Sequence, residues 1–398
     1  MSNGSKEVVI VSGARTPIGR FGGAFKDLRA SDLGAVAIRA AVERAGIDPS
    51  SVDEVIMGNV LQAAETGYTA RRAMLKAGLP DHVPAMTVNR ACSSGLEAIN
   101  LAVQSVLTGE SEVVVAGGAE NMSASPYLLP TGRFDGPRMG DVRLVDSLTM
   151  GLSCPIYDYH MGVTAENVAQ RFEVSRQAQD ELAVISHQRA VAAQADHRFD
   201  GQIVPVSVPQ RRGDPVSVTA DEHPRPDTTL DGLAKLRPVF KEGGSVTAGN
   251  SAGINDAAAA VVVMSRERAE ALGLKPRLKW VARGVSGVDP AIMGTGPVPS
   301  TRKLLAKTSV GLKDIDVIEL NEAFASQALY VIRELDFDLD KTNPNGSGIS
   351  LGHPVGATGA IMVVKLMEEL ERTDGQFGLA TLCVGGGQGV STLFERVN

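Results

Sequence analysis

The chain has 398 residues and a mass of 41.7 kDa, too much for one ordinary core, so two or more packed units are expected. A hydrophobic fraction of 43% beside 21% charged residues describes a globular chain, and no run reaches the roughly 20 uncharged apolar residues of a membrane helix. A net charge of −7 speaks against a nucleic-acid partner, and the start "MSNGSKEVVIVSG" has no basic-then-apolar signal, so a cytoplasmic protein without membrane contact is expected.

In chain order, "KEVVIVSG" (6–13) reads as a buried strand and "SDLGAVAIRAAVERAG" (31–46) as a helix with Ser31 at its N-cap and Gly46 after its end. "VDEVIMGNV" (52–60) is a strand, followed by a helical stretch around 66–78, the strand "VPAMTVN" (83–89), a helix after Cys92 and the strand "EVVVAGG" (112–118). Residues 121 to about 250 break this rhythm. Their Pro and Gly turns, the charged tract "RFDGPRMGDVRLVD" and a long polar helical stretch between Thr164 and His197 read as an insertion. From about 275 the alternation resumes: "RLKWVARG" (277–284) as strand, "PSTRKLLAKTSV" (299–310) as helix, "IDVIELNEAF" (315–324) as strand, "GHPVGATGAIMVVKLMEEL" (352–370) as helix and "LATLCVGGG" (379–387) as strand. Such alternation defines an α/β class with a mainly parallel sheet covered by helices.

The two alternating regions resemble each other. Val11 matches Val281, Asn59 matches Asn321, Gly95 matches Gly359 and Gly117 matches Gly385, at offsets of 270, 262, 264 and 268. Four matches in one order at a nearly constant offset point to a duplicated α/β unit. In such a duplicate the Cys92 and His353 loops, and the Cys383 end, are expected to meet across a pseudo-twofold axis.

Three cysteines, Cys92, Cys154 and Cys383, suit neither a disulfide framework nor a zinc site, so no metal is expected and a working thiol is a candidate. After Cys92, Leu96, Ile99, Val103 and Val106 draw one buried helix face, which sets Cys92 at a helix N-terminus where the thiol pKa should fall. A buried cysteine serving as a small hydrophobe is the competing reading. His353 lies in a glycine-lined turn, with Pro354 suited to the first helical position and Lys365, Glu368, Glu369 and Arg372 marking a solvated helix face. A histidine there is a candidate base for a thiol, or caps its own loop. Cys383 ends an apolar strand before three glycines, where backbone N–H groups can converge on an oxygen or simply make a tight connection. Asn321 ends another strand, and by itself reads as a helix cap before it reads as a holder of water.

The stretches "RTPIGRFGG", "NRACSSGLEAI", "GGAENMS", "YHMGVTAENVA", "AKLRPVF", "VTAGNSAGINDAAAAVV", "GTGPVP", "NEAFA", "GHPVGATGA" and "TLCVGGGQG" together resemble the thiolase family over essentially the whole chain, closest to bacterial acetyl-CoA acetyltransferases. The resemblance implies two βαβαβαββ halves in five αβαβα layers with a loop domain: 1–120 plus about 251–274, the loop domain 121–250, and 275–398. It implies Cys92 as the acyl-carrying nucleophile, His353 as its activator and Cys383 as the base at C2 of a second acetyl-CoA. The Cys92 and Gly385 amides would hold one oxyanion, and His353 with an Asn321-held water the other. Substrates would be acetyl-CoA, acetoacetyl-CoA and CoA, with no separate cofactor.

By the same resemblance, His160, Met161, Met293 and Phe324 close a short acyl pocket, Leu152, Phe240 and Ala248 contact pantetheine, and Arg225 lies near the nucleotide. Ser251 precedes Ala252, where the family often has serine; "NDAAAA" with Ala257, "NGSGI" with Ser347 and "NPN" at 343–345 are further departures. A homotetramer through a loop near 125–145 is implied. The rival readings are a β-oxidation 3-ketoacyl-CoA thiolase of broader chain length and, from another class, a non-catalytic CoA or lipid carrier. A ketoacyl synthase, which shares the fold, usually pairs its cysteine with two histidines, and Cys383 stands against it.

Overall fold

The computed structural model describes residues 6–134, 136 and 138–397, so Met1–Ser5 and, within the charged tract, Asp135 and Pro137 lie outside the described residues, as does Asn398. The first alternating region gives β1 (Val8–Arg15), α1 (Ala30–Ala45), β2 (Glu54–Gly58), α2 (Thr69–Ala77), β3 (Ala85–Val88), α3 (Ser94–Thr108) and β4 (Val113–Asn121). The chain then leaves the sheet, forms α4 (Met161–Arg171) and α5 (Arg176–Ala195), and returns as β5 (Asn255–Ser265). The remainder gives β6 (Leu278–Gly287), α6 (Pro297–Leu305), β7 (Ile315–Leu320), α7 (Ala325–Leu335), α8 (Thr358–Thr373), β8 (Phe377–Val384) and β9 (Gln388–Arg396). No helix among the described residues is long and apolar enough to cross a membrane.

The strand order is a palindrome. One half runs β3-β2-β4-β5-β1 and the other β7-β8-β9-β6, joined by two antiparallel pairs, Val9 with Lys279 and Ile10 with Leu278. Outward from that seam each half has two antiparallel steps and then parallel ones. A single parallel bridge, Ile318 with Thr342, stands where the second half would have its fifth strand. This is the duplication expected from the sequence. One of its four matches fails: β2 and β4 pair Gly58 with Gly118, β7 and β8 pair Leu320 with Thr381, so Gly117 lies within a strand whereas Gly385 lies past one.

Period-two alternation sorts the strand residues into layers. Ala257, Ala259, Val261 and Val263 of β5 face a central core built with α3 and α8, while Ala258, Ala260, Val262 and Met264 face α1 and α2. In the second half Ala380, Leu382 and Val384 face the same central core, and Leu379 and Leu393 face α6 and α7. The result is five layers, α/β/α/β/α, with α3 and α8 in the middle. Ala257, one of the family departures, is part of this central core.

The middle position corrects several expectations. Lys365 and Glu369 are buried, because α8 has sheet on two sides: Lys365 Nζ donates to Glu319 Oε2 and to Gly346 O, both at 2.7 Å, and Glu369 accepts from Asn345. Helix α8 begins at Thr358, and Pro354 instead offers its carbonyl to the Ala357 and Thr358 amides in the turn before it. Ser31 lies inside α1, whose N-cap is Arg29; the Ser31 amide is satisfied by Glu65, a tertiary partner invisible to local pattern. The stretch from Thr164 to His197 is two helices, broken at Glu173 (φ 54°) before the Ser175 cap. Strand β7 stops at Leu320 and the chain re-forms as α7, which is N-capped at Phe324, so Asn321 is no cap.

α3 and α8 start side by side. A Cβ on Gly95 would sit 2.9 Å from both Ala360 N and Gly356 O, and one on Gly359 would sit 2.5 Å from Leu96 N. Only glycine lets the two backbones come this close. Gly359→Ala gains helix propensity of about 1 kcal/mol but overpacks this crossing, at about 1–3 kcal/mol. A lower urea midpoint with an unchanged m-value is the expected outcome; a raised midpoint would show that the crossing is slack.

Candidate active site

Cys92 lies in the turn between β3 and α3. Ala91 before it holds φ 43°, an uncommon left-handed conformation for a residue with a side chain. Ser94 fixes the turn by accepting from Arg90 N at 2.8 Å and donating to Ala91 O at 2.7 Å. Cys92 itself is half-buried. Burial pushes its thiol up to about 11, while the amides of Gly385 and of Cys92, both facing the sulfur, pull the other way. The expected fall in pKa is therefore overturned: desolvation of the thiolate outweighs the start of α3, which lies two residues further on.

His353 comes from the other half. Its backbone N–H donates to Asn255 Oδ1 at 3.0 Å, and Gly352, at φ 102°, has its Cα against that same amide, where a Cβ would lie 2.3 Å away. Asn321 Nδ2 stands 3.4 Å from His353 Nε2, and Thr358 Oγ1 stands 2.7 Å from Nδ1. Asn321 Oδ1 is buried without a hydrogen-bond partner among the described residues. Burial lowers the imidazole to about 4, so the ring is neutral near pH 7. Glu120, fully buried, ties the loops together: its carboxyl accepts from Asn59 Nδ2 (2.7 Å), Val60 N (2.9 Å), Leu61 N (3.2 Å) and Gly356 N (2.9 Å).

Cys383 is completely buried beside Met293, Ala323 and Phe324, and burial raises its thiol, with the nearby Cys92 adding to the rise. Gly386 and Gly387 take left-handed φ of 81° and 84° to make the tight turn into β9, which frees the Gly385 amide to face Cys92. The third cysteine, Cys154, is buried in the turn before α4, its N–H bound to Tyr159 O.

These groups lie at and beneath a pocket of about 500 Å³ lined by Cys92, Leu152, His160, Met161, Arg225, Phe240, Ala248, Ser251, Met293, Phe324 and His353 among others. Its size suits a small-molecule site. His160 caps α4, its Nδ1 accepting from Gly162 N at 3.0 Å, and stacks on Phe240 with centroids 4.7 Å apart; Phe240 meets Phe324 edge-on at 6.1 Å. Ser251 lines the wall, but its hydroxyl donates to Thr247 O at 2.7 Å. The other departures lie off the pocket: Ser347 donates to Leu320 O, and Asn343 bonds the Leu320 backbone. Sequence reading missed Arg20, Phe21 and His223 of the lining, and Asn255, Thr358 and Glu120 behind it. A signal existed for Asn255, Thr358 and Glu120, each inside a stretch that carries the family resemblance, but nothing local marks Glu120 as the acceptor for two loops distant in sequence.

A neutral imidazole, a half-buried thiol with amides at its sulfur and a second, buried thiol, brought together on a duplicated α/β fold, have the chemistry that acyl transfer through a cysteine requires. The thiolase N-terminal domain model matches residues 8–267 and the thiolase C-terminal domain model residues 274–396, and the chain belongs to the thiolase family. Acetyl-CoA acetyltransferase of Cupriavidus necator is 51% identical over 98% of this chain and 99% of its own length. Beta-ketothiolase BktB of the same organism is 52% identical over 99% and 100%. Among solved structures, Bacillus anthracis acetyl-CoA acetyltransferase superposes with a TM-score of 0.97 at 47% identity, covering 100% of both chains. Human mitochondrial 3-ketoacyl-CoA thiolase in complex with CoA gives 0.95 at 42% identity over 99% and 98%.

With the Cys92 thiol near 11, the thiolate fraction grows with pH, so alkylation of Cys92 by iodoacetamide should accelerate continuously from pH 6 to pH 10. Mass-resolved labelling rates test this; a plateau near pH 7 would show a preformed thiolate.

Proposed function

We propose that the protein is an acetyl-CoA C-acetyltransferase that joins two acetyl-CoA into acetoacetyl-CoA and CoA, reversibly, through an acetylated Cys92. The observation that carries this is that Cys92 and His353 line one apolar pocket while Cys383 lies buried near Cys92, against Met293 and Phe324 of the pocket wall. In the first half-reaction His353 Nε2 takes the Cys92 proton as the sulfur attacks the thioester carbonyl, and the imidazolium returns it to the departing CoA sulfur. In the second, Cys383 reacts from its ionised form and takes a proton from C2 of another acetyl-CoA; the carbanion attacks the acetyl carbonyl, the acetyl–sulfur bond breaks, and the departing Cys92 thiolate recovers that proton from the Cys383 thiol. The amides of Gly385 and Cys92 suit the first oxyanion, and Asn321, whose buried Oδ1 is free to hold a water, suits the enolate with His353. The first half-reaction exchanges one thioester for another, and the second forms a C–C bond as the acetyl–Cys92 thioester breaks; neither changes an oxidation state, so the proposed chemistry calls for no redox group. The reading places CoA along Leu152, Phe240, Ala248 and Ser251, with Arg225 toward its phosphates. We place the enzyme in the cytoplasm as a homotetramer, with the 125–145 tract as the assembly loop, where Tyr127, Phe134 and Met139 are exposed.

The second reading, a thiolase of broader chain length, draws support from the likeness to beta-ketothiolase and 3-ketoacyl-CoA thiolase. Against it we set the wall of His160, Phe240 and Phe324 in edge and face contact, with Met161 and Met293, which we read as closing the acyl end. Thiolysis should be faster with acetoacetyl-CoA than with a ten-carbon 3-ketoacyl-CoA, and the reverse ranking would favour the second reading.

Mixing with acetyl-CoA should give an acetyl adduct on Cys92 by mass spectrometry, absent in Cys92→Ala. Cys383→Ala should still acetylate while losing condensation by about a hundredfold or more. No adduct on the fresh wild-type protein would favour a non-catalytic carrier, and loss of both steps in Cys383→Ala would end the proposed division of labour.

A further inference from the structure

We propose that Thr358 is a positioning residue for His353: its hydroxyl accepts the Nδ1–H and holds the tautomer whose bare Nε2 faces Asn321. The proposal rests on the reading of His353 as the base that activates Cys92. Thr358 Oγ1 lies 2.7 Å from His353 Nδ1 and 3.0 Å from Pro354 O, and the Thr358 side chain and the ring are both buried. The hydroxyl has one proton and the neutral ring has one N–H. With the hydroxyl proton on Pro354 O, Oγ1 is left as an acceptor and Nδ1 must carry the ring proton. The Nε2 lone pair then meets the Asn321 Nδ2–H at 3.4 Å, so every proton has an acceptor. With the ring proton on Nε2 instead, the hydroxyl must leave Pro354 O to donate to Nδ1, and the Asn321 amide must turn so that its Oδ1 accepts the Nε2–H.

The turn that makes this contact is specific. Thr358 is the first residue of α8, five residues after His353, and the Gly352–Ala357 segment folds back so that ring and hydroxyl meet. The partner's chemistry also matters. A carboxylate at Nδ1 would stabilise the imidazolium, whereas a neutral hydroxyl fixes orientation without adding charge. His353 therefore accepts the Cys92 proton at Nε2 and gives it up readily to the leaving thiolate, while the Nδ1–H stays on Thr358 throughout.

The test uses Thr358→Val, which keeps shape and removes the hydroxyl, and Thr358→Ser, which restores it. In thiolysis of acetoacetyl-CoA by CoA, Thr358→Val should lower kcat by about ten- to a hundredfold, the range for one buried donor left unpaired. KM should stay within about twofold of wild type, and Thr358→Ser should recover most of kcat. In protein labelled with 15N-histidine, with the His353 signals assigned by their loss in His353→Ala, the wild type should show a protonated Nδ1 and a bare Nε2. A folded Thr358→Val with wild-type kcat, a Thr358→Ser as impaired as the valine variant, or a wild-type ring protonated at Nε2 would each overturn the proposal. If Thr358→Val does not fold, the wild-type spectrum decides. A wild-type protein without acetyl transfer would fail the reading of the site itself, a result distinct from all of these.

Discussion

The structure depends on the contact of two helix starts. Gly95 in α3 and Gly359 in α8 are the second residues of equivalent helices in the two halves, and each has its Cα against the other helix's backbone. Because the loop that precedes each helix is fixed by that helix, bringing the starts together brings Cys92 and His353 together. Neither half has a site alone. Glu120 reinforces the joint, since its carboxyl gathers amides from the loop after β2 and from the loop before α8. Burial lifts that carboxyl to about 7, against four donors that favour its charged form.

The same closeness sets the protonation of the site. Two helices and two sheets packed around the loops leave little water, so burial raises both thiols and lowers the imidazole. The resting state is then thiol and neutral imidazole rather than an ion pair. A pair of charges created during the reaction needs donors already in place, because the interior cannot reorganise to supply them. The amides at the Cys92 sulfur and Asn321 beside His353 Nε2 are such donors; the first are held by backbone geometry, and the second belongs to a fully buried side chain.

Much of the fold was legible in the sequence because its strands are buried on both faces and its helices are amphipathic or capped by glycine, as Gly46 caps α1. The duplication was legible through Asn59 and Asn321 and through Gly95 and Gly359. What failed did so for tertiary reasons. Lys365 and Glu369 look like a solvated face, and are buried because the middle layer has no outside; Lys365 is tolerated there by Glu319. Ser31 looks like a cap, and is displaced because Glu65 supplies the acceptor from elsewhere. Of the site, the residues on strand ends and in glycine turns were legible as candidates, while their division of roles came from family resemblance. The Cys92 pKa was misread because a helix start is visible in sequence and the depth of burial is not.

One strand end serves both thiols. Along β8 successive residues alternate faces, so Leu382 and Val384 enter the central core while Cys383 points to the opposite side, among Met293 and Phe324 of the pocket wall. The next residue but one, Gly385, follows the end of the strand, and its amide turns to the Cys92 sulfur. Two residues apart on one chain, a buried thiol and a hydrogen-bond donor thus approach Cys92 from the half that also supplies His353. A shift of β8 by one residue would exchange the thiol for a core aliphatic and carry the amide away together. The register of β8 against β9, in which Thr381 faces Ser391 and Cys383 faces Gly389, is therefore a constraint on the site as much as on the fold. The buried hydroxyls of Ser300, Thr301, Thr381 and Ser391, bonded to one another, add a side-chain tie between the two strands to the backbone ladder.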